Sequence, residues 1–371
     1  MCFPCRDLGG NGQQESNRED RANSATAQDT GDERAPTGGA GHTPGQYSWD
    51  LREKLDPKDY ILTGVKDATI GRLPGKLNGQ QLVIQDCENC NIYVLDHSAT
   101  ITIDDSMNCR IVLGPVKGSV FFRNCKDIKC VVACQQFRAR DCKKMEVFLC
   151  CSTQPIVESS TGMKFSCFQY YYPELACQFK DACLSIFNNN WSNIHDFTPV
   201  PGENNWTLLP EEATVLDYVP LPDVDSEFST VRISTDASKS IVPLTHGARS
   251  KRSDESCLFV FFANDYTTAN ACKLIDEATR KGYVLIQTKE VSLCPEDVVR
   301  VFQSSAEGLT EFISKGPVVA LELNGNGVVE ACRRFASEVF SGTKVFVSES
   351  KNSSSRDVDN FFNLAEMQMG L

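Results

Sequence analysis

Apolar positions between residues 82 and 149 recur at a long, fixed interval. Leu82, Ile101 and Val120 stand nineteen residues apart, and Ile84, Ile103 and Phe122 keep the same step. Cys87, Ser106 and Cys125 form a third column in register with them. A second series begins at Asn89-Cys90-Asn91-Ile92-Tyr93-Val94. It returns as Asn108-Cys109-Arg110-Ile111-Val112-Leu113, then as Asp127-Ile128-Lys129-Cys130-Val131-Val132 and Lys144-Met145-Glu146-Val147-Phe148-Leu149, with steps of 19, 19 and 17. Each repeat holds two or three short β-rich segments separated by Asn, Asp or Gly, too short to alternate with helices. One such repeat cannot bury its apolar face alone, but stacked repeats share a continuous core. The pattern predicts a right-handed parallel β-helix with ladders of Cys and Ser at its corners. A β-sandwich with coincidental spacing is the competing reading.

Past residue 255 the pattern changes. Cys257–Phe262, Tyr283–Ile286, Pro317–Leu323 and Lys344–Val347 read as strands. Between them Ala271, Leu274, Ile275 and Ala278 fall at helical spacing. Pro295 suits the first turn of a helix carrying Val298, Val299 and Phe302. Val328, Cys332, Phe335, Ala336 and Val339 give another helix, with Gly342 placed to stop it. Helices alternating with four strands predict a ferredoxin-like α/β domain.

The chain has 371 residues, enough for two or three units at roughly 150 residues each. Gly9 to Gln46 contains no Val, Ile, Leu, Met, Phe, Tyr or Trp, so it cannot bury enough apolar surface to offset its ordering entropy. The expected organisation is a disordered segment over 1–46, the β-helix over 47–220 starting near Tyr47 and Trp49, a linker over 221–255, and the α/β domain over 256–371. Gly247–Ser253 reads as an exposed part of that linker.

Charge and cysteine usage narrow the function classes. The 49 acidic and 37 basic residues leave a net charge of −12, which repels phosphate backbones and argues against nucleic acid as a partner. No apolar run approaches the roughly 18 residues of a membrane span, and Met1–Asp7 lacks the apolar core of a secretory signal. The 18 cysteines bunch between Cys87 and Cys183, a pattern that fits a reducing compartment. Cys87-Glu88-Asn89-Cys90 has the spacing of half a zinc site, but no second pair follows in the folded region. Cysteine as a small buried apolar residue is the simpler reading.

Few residues look chemical. Asn324-Gly325-Asn326-Gly327 lacks the third glycine and the lysine of a phosphate loop and reads as a turn. No histidine follows His246, so the α/β domain has no phosphohistidine chemistry open to it. His195, beside Asp196, is either a base or, more simply, a structural histidine near the end of the β-helix. Phe137 falls in the column of Val120, which turns Arg138 to the outward face with Gln135, Gln136 and Arg140 nearby. A strand-mounted arginine beside amides can present its guanidinium rigidly to a phosphate. On periodicity alone, a solvated arginine on a polar face is the simpler reading.

Several stretches resemble the X-linked retinitis pigmentosa type 2 protein family: Gln85–Tyr93, Gly114–Cys125, Ala133-Cys134-Gln135-Gln136-Phe137-Arg138, and Trp191–Phe197. The likeness runs from about Gln46 to Leu371, and its β-helical part is shared with tubulin-folding cofactor C. It implies a GTPase activator for an Arf-like GTPase of type 3 in its GTP form. Arg138 would be the finger completing the GTPase site, with Gln135 and Gln136 beside it. Glu158, in Gln154-Pro155-Ile156-Val157-Glu158, would contact the GTPase. No intrinsic cofactor is expected, since GTP and Mg belong to the partner. The chain itself is expected to be no enzyme. The C-terminal region is similar to nucleoside diphosphate kinase but lacks its histidine. The alternatives are a cofactor acting on tubulin GTP, or a non-catalytic scaffold for the GTP-bound GTPase.

The family begins Met-Gly-Cys, whereas this chain begins Met1-Cys2, so myristate has no acceptor glycine. Cys2 and Cys5 remain as palmitoylation sites for the inner membrane leaflet. The resemblance implies a place at the cytoplasmic face of the plasma membrane, the cilium and the basal body, with roles in protein transport and vision. An unacylated chain would be cytosolic.

Overall fold

The computed structural model describes residues 56–303 and 306–369. The expectations for 1–46, for Tyr47 and Trp49, and for acylation at Cys2 and Cys5 lie outside the described residues. A parallel β-helix of about six turns comes first. Its strands are β1 (Ile61–Thr63), β2 (Thr69–Arg72), β3 (Leu82–Gln85), β4 (Asn91–Val94), β5 (Ile101–Asp104), β6 (Arg110–Leu113), β7 (Val116–Arg123) and β8 (Lys126–Arg140). They are followed by β9 (Lys143–Cys151), β10 (Ile156–Glu158), β11 (Thr161–Cys167), helix α1 (Leu175–Asp181), β12 (His195–Asp196) and β13 (Trp206–Leu208). One stack runs β1-β3-β5-β7, then the end of β8, then β10 and β12. The other runs β2-β4-β6, then the start of β8, then β9, β11 and β13.

The nineteen-residue columns are the observed register. Leu82 pairs with Ile101, Ile101 with Val120, and Val120 with Phe137. Their side chains fill the inside, each fully buried large group contributing about 1.5–3 kcal/mol. The corners repeat just as strictly. Asp86, Asp105, Asn124, Asp141 and Ser159 take left-handed φ between 48° and 55° at one position of successive turns. Asp67, Asn89, Asn108, Asp127, Lys144 and Gly162 take left-handed φ between 52° and 68° at the next corner. Asn and Asp tolerate this conformation better than other residues with a Cβ. Their side chains also stack: Asn108 Nδ2 donates to Asn89 Oδ1 at 2.7 Å, and Asn124 Nδ2 to Asp105 Oδ1 at 2.7 Å.

The corner thiols are buried and donate to backbone carbonyls. Cys87 Sγ donates to Leu62 O and Gln85 O, and Cys90 Sγ to Val65 O and Glu88 O. Burial also pushes the Cys109 thiol up to about 11 and raises Cys134 and Cys150. These groups stay protonated and serve as packing.

The two stacks differ on their outer faces. The second is covered: Tyr93, Val112, Val131 and Phe148 form a core with Phe168, Tyr170, Tyr172, Phe179, Val215, Phe228 and Val242. Residues 221–255 take part in it, which corrects the expectation of a linker. Phe228 sits 5.6 Å from Tyr93, whose hydroxyl donates to Pro220 O at 2.8 Å. Even Gly247 is packed, since a Cβ there would lie 2.7 Å from the Trp191 ring. Phe228, Val231, Ile233, Ile241 and Val242 are enough to hold this polar segment on the covered face.

The second domain has β14 (Ser256–Phe261), α2 (Thr267–Arg280), β15 (Val284–Val291), α3 (Pro295–Phe302), α4 (Thr310–Ile313), β16 (Val318–Asn324), α5 (Val328–Arg334), β17 (Val345–Val347) and α6 (Lys351–Met369). Its antiparallel sheet has the order β15-β16-β14-β17, as a ferredoxin-like fold requires. Three details depart from expectation. Val299 is exposed, and Val301 packs inward instead. The helix begun by α5 ends in a π-turn over Phe335–Val339. A C-terminal helix, α6, packs Val358, Phe361, Phe362 and Ala365 against the sheet.

The two domains are joined through β15. Phe187 enters the α/β core, and its carbonyl accepts from Thr288 Oγ1 at 2.7 Å. Asn188 makes a reciprocal pair with the Glu290 backbone, at 2.8 Å and 3.0 Å. Lys289 Nζ donates to Asn190 Oδ1. Burial lowers the Lys289 pKa from 10.5 to about 8, against the opposing pull of Glu366. The unfolded chain therefore holds this proton up to about pH 10.5 while the folded chain releases it near pH 8, and the burden on folding is relieved across that window. We expect the parent's urea midpoint to rise, relative to a Lys289→Met variant, between pH 8 and 10.5. A difference constant over that range would contradict a buried amine with a lowered pKa.

Candidate functional site

The outer face of the first stack carries no covering layer. Across it, Phe121, Arg138, Ile156 and His195 lie side by side on β7, β8, β10 and β12. Neighbouring strands are about 4.8 Å apart, so these side chains form one row. Phe137 and Ala139 point inward and are fully buried, which forces Arg138 outward between them. Phe137 is itself wedged between Phe122 and Phe165, at 5.7 and 5.9 Å. The base of Arg138 is rigid for that reason.

Its tip is free. Arg123 on the same face is held by two 2.7 Å bonds to Asp104, and Arg140 lies 3.3 Å from Asp141. Arg138 has neither a hydrogen bond nor an ion pair among the described residues. It borders a cleft of about 410 Å³ lined by Gln136, Thr153, Gln154, Ile156, His195, Phe197 and Met369. Gln136 Oε1 accepts from Ser119 Oγ at 3.3 Å, which fixes the amide at the cleft edge. Gln135 is exposed, and its carbonyl takes two 3.0 Å bonds from Thr153. Glu158 is exposed and stands in register with Arg140, diagonal to Arg138, with no ion pair among the described residues. Gln136, Arg138 and Glu158 thus share one face, Gln135 is exposed at the start of that strand segment outside the cleft lining, and Cys2 and Cys5 lie outside the described residues.

His195 and Phe197 enter the cleft from outside the spacing of the repeat. His195 is exposed on the Arg138 row, not a structural histidine, and stacks edge-on with Phe197 at 4.4 Å. Phe197 is 58% exposed. The chain takes 39 residues to pass from Ile156 to His195, with α1 in between, and this hides the register from a repeat of 17 to 19. The usable signal was local: Ile194-His195-Asp196-Phe197 alternates as a strand does. Met369 reaches the cleft from α6.

Chemically, the arrangement offers a cation with five donors, two amides, an exposed aromatic and a carboxylate. It offers no nucleophile–base pair. Among the described residues no group of three or more His, Cys, Asp or Glu could hold a metal ion. Such a face can stabilise charge on a molecule brought to it.

The β-helix and its bare face are similar to the cofactor C class of domain. The family model Tubulin binding cofactor C matches residues 79–197, the span that contains Gln135, Arg138, Glu158 and Phe197. Protein XRP2 of Danio rerio is 75% identical over 328 residues, covering 88% of this chain and 87% of the relative. Protein XRP2 of Homo sapiens is 66% identical over 328 residues, covering 88% and 93%. The chain belongs to the XRP2 family. Among solved structures, a nucleoside diphosphate kinase of Aquifex aeolicus overlaps 30% of this chain and 97% of its own length, at 20% identity and a TM-score of 0.26.

Because neither Arg138 nor Phe197 supports the core or a hydrogen-bond network, Arg138→Ala and Phe197→Ser should each change stability by less than about 0.5 kcal/mol. Chemical denaturation checks this. A larger loss for either would mean that the side chain serves the fold.

Proposed function

We propose that this protein activates an Arf-like GTPase of type 3 by inserting Arg138 into the partner's nucleotide site. One observation carries the reading: Arg138 alone among the arginines at 123, 138 and 140 is left unpaired, on a rigid strand, beside a cleft. An arginine already neutralised by a carboxylate could not respond to charge developing elsewhere. A free one can stabilise the transferring phosphoryl group, while GTP and Mg stay with the partner and the chain needs no cofactor. A finger supplied in trans is worth about 10³–10⁵ in rate, or roughly 4–7 kcal/mol at about 1.36 kcal/mol per decade. Gln135, Gln136 and Glu158 would contact the GTPase around that point. Turning over the GTP state would release lipidated cargo in ciliary and membrane trafficking. Arg138→Ala should retain most binding to the GTP-loaded partner and lose nearly all stimulated hydrolysis. Single-turnover phosphate release at the parent rate would overturn the finger assignment.

The match to Tubulin binding cofactor C keeps a second reading in view, with the same arginine acting on tubulin GTP. Presenting each purified partner and measuring phosphate release separates the two, and binding without release would leave a non-catalytic scaffold.

For localisation we infer the cytoplasmic face of the plasma membrane and the cilium, held by palmitate on Cys2 and Cys5. One acyl chain binds membranes only marginally, so both would be needed. A Cys2→Ser, Cys5→Ser double variant should leave the membrane fraction. Its retention there would exclude the palmitate route.

A further inference from the structure

One corner of the β-helix departs from its own rule. At the position where other turns place Asp67, Asn89, Asn108, Asp127 and Gly162 in the left-handed conformation, one turn places Lys144, with φ 57°. Lysine has no local hydrogen bond with which to offset that conformation, as Asp and Asn do. The next column adds a second unfavourable choice. Lys126 and Lys143 are direct partners in the β8–β9 ladder, like charges side by side. Arg123 and Arg140 occupy the column on the other side of the corner.

Asp104 and Asp141 hold Arg123 and Arg140, so the uncompensated charge of this ridge lies on its lysines. Asp127 is shared between Lys126 at 4.0 Å and Lys144 at 3.8 Å, and Lys144 is 71% exposed. Pairs of that kind are worth little in water. The Lys143 ammonium has no partner among the described residues. A cationic ridge in a chain of net charge −12 is an outlier, and here it coincides with a strained backbone position and a repulsive ladder pair. Strain retained against stability points to use.

We infer that the Lys126/Lys143/Lys144 corner is a docking surface for an acidic segment of the protein whose nucleotide Arg138 enters. This rests on the activator reading above. The location selects a protein over a lipid surface. Arg140 is two residues from Arg138 on β8, and the chain then turns directly into Lys143 and Lys144. A body that fills the Arg138 cleft is carried over Arg140 onto the ridge. A flat membrane meeting the ridge has no reason to enter the cleft. The corner speeds encounter and sets orientation, while Arg138 acts after docking.

The test uses the full chain with Lys126→Ser, Lys143→Ser and Lys144→Asn combined, beside Arg138→Ala and the parent. Association with the GTP-loaded GTPase is followed by stopped flow across a salt series, and hydrolysis is measured separately at saturating activator. The triple variant should associate about tenfold more slowly at low salt, with the gap closing at high salt. Its saturated hydrolysis rate should match the parent's, while Arg138→Ala shows the reverse. Lys144→Asn alone should raise the urea midpoint, since asparagine suits the left-handed corner. Parent-like association at every salt concentration overturns the docking surface. So does a loss confined to sedimentation with phosphatidylserine vesicles, which would make the ridge a membrane contact. If the parent binds the GTPase with the expected salt dependence but stimulates no hydrolysis, the activator reading fails while the docking surface stands.

Discussion

Each turn of the β-helix must pass two corners at which one residue takes positive φ, and the rest of the structure depends on that constraint. The corner residues recur at 86, 105, 124 and 141 and again at 89, 108, 127 and 144. Each corner is closed by one residue and the two corners stay three residues apart, so the shortening from 19 to 17 residues per turn falls elsewhere, and every strand meets the same inward and outward alternation as the one below. A one-residue slip would turn a whole strand inside out. The Asn and Asp side chains that tolerate the bend also hydrogen-bond up the stack, so one residue type serves the local backbone and the contact between turns.

From that alternation follows the division of the two outer faces. The face carrying Tyr93 and Phe148 is apolar and is closed by residues 168–184 and 209–242. The face carrying Arg138 is left in water. A β-sheet wall has little freedom to move, and Phe137 packs tightly behind it, so the entropy lost on presenting the guanidinium lies mainly in the side chain itself.

The α/β domain bears on this face directly through Met369 and indirectly through the segment it holds. Asn190, held by Lys289, donates through Nδ2 to Ser152 O, next to Thr153 and Gln154 of the cleft wall. The same segment continues through Trp191 to His195 and Phe197. Two domains with separate cores therefore share one strap, and its residues set the cleft's far side.

The repeat columns, the corner residues, the four strands of the second domain and the outward position of Arg138 were all determined by sequence alone, because each rests on periodicity within a short stretch. Arg138 could be placed but not told from a solvated arginine. Only the tertiary structure shows that Arg123 and Arg140 are paired while Arg138 is not: Arg123 finds Asp104 one turn away in space, and Arg140 turns to its neighbour Asp141. The same holds for residues 221–255, whose polar composition suggests a linker although Phe228 and Val242 anchor it. It holds for His195, brought beside Ile156 across a 39-residue excursion, and for Met369, delivered by a helix from the other domain. Local pattern specifies which way a side chain points; long-range contact decides what it meets there.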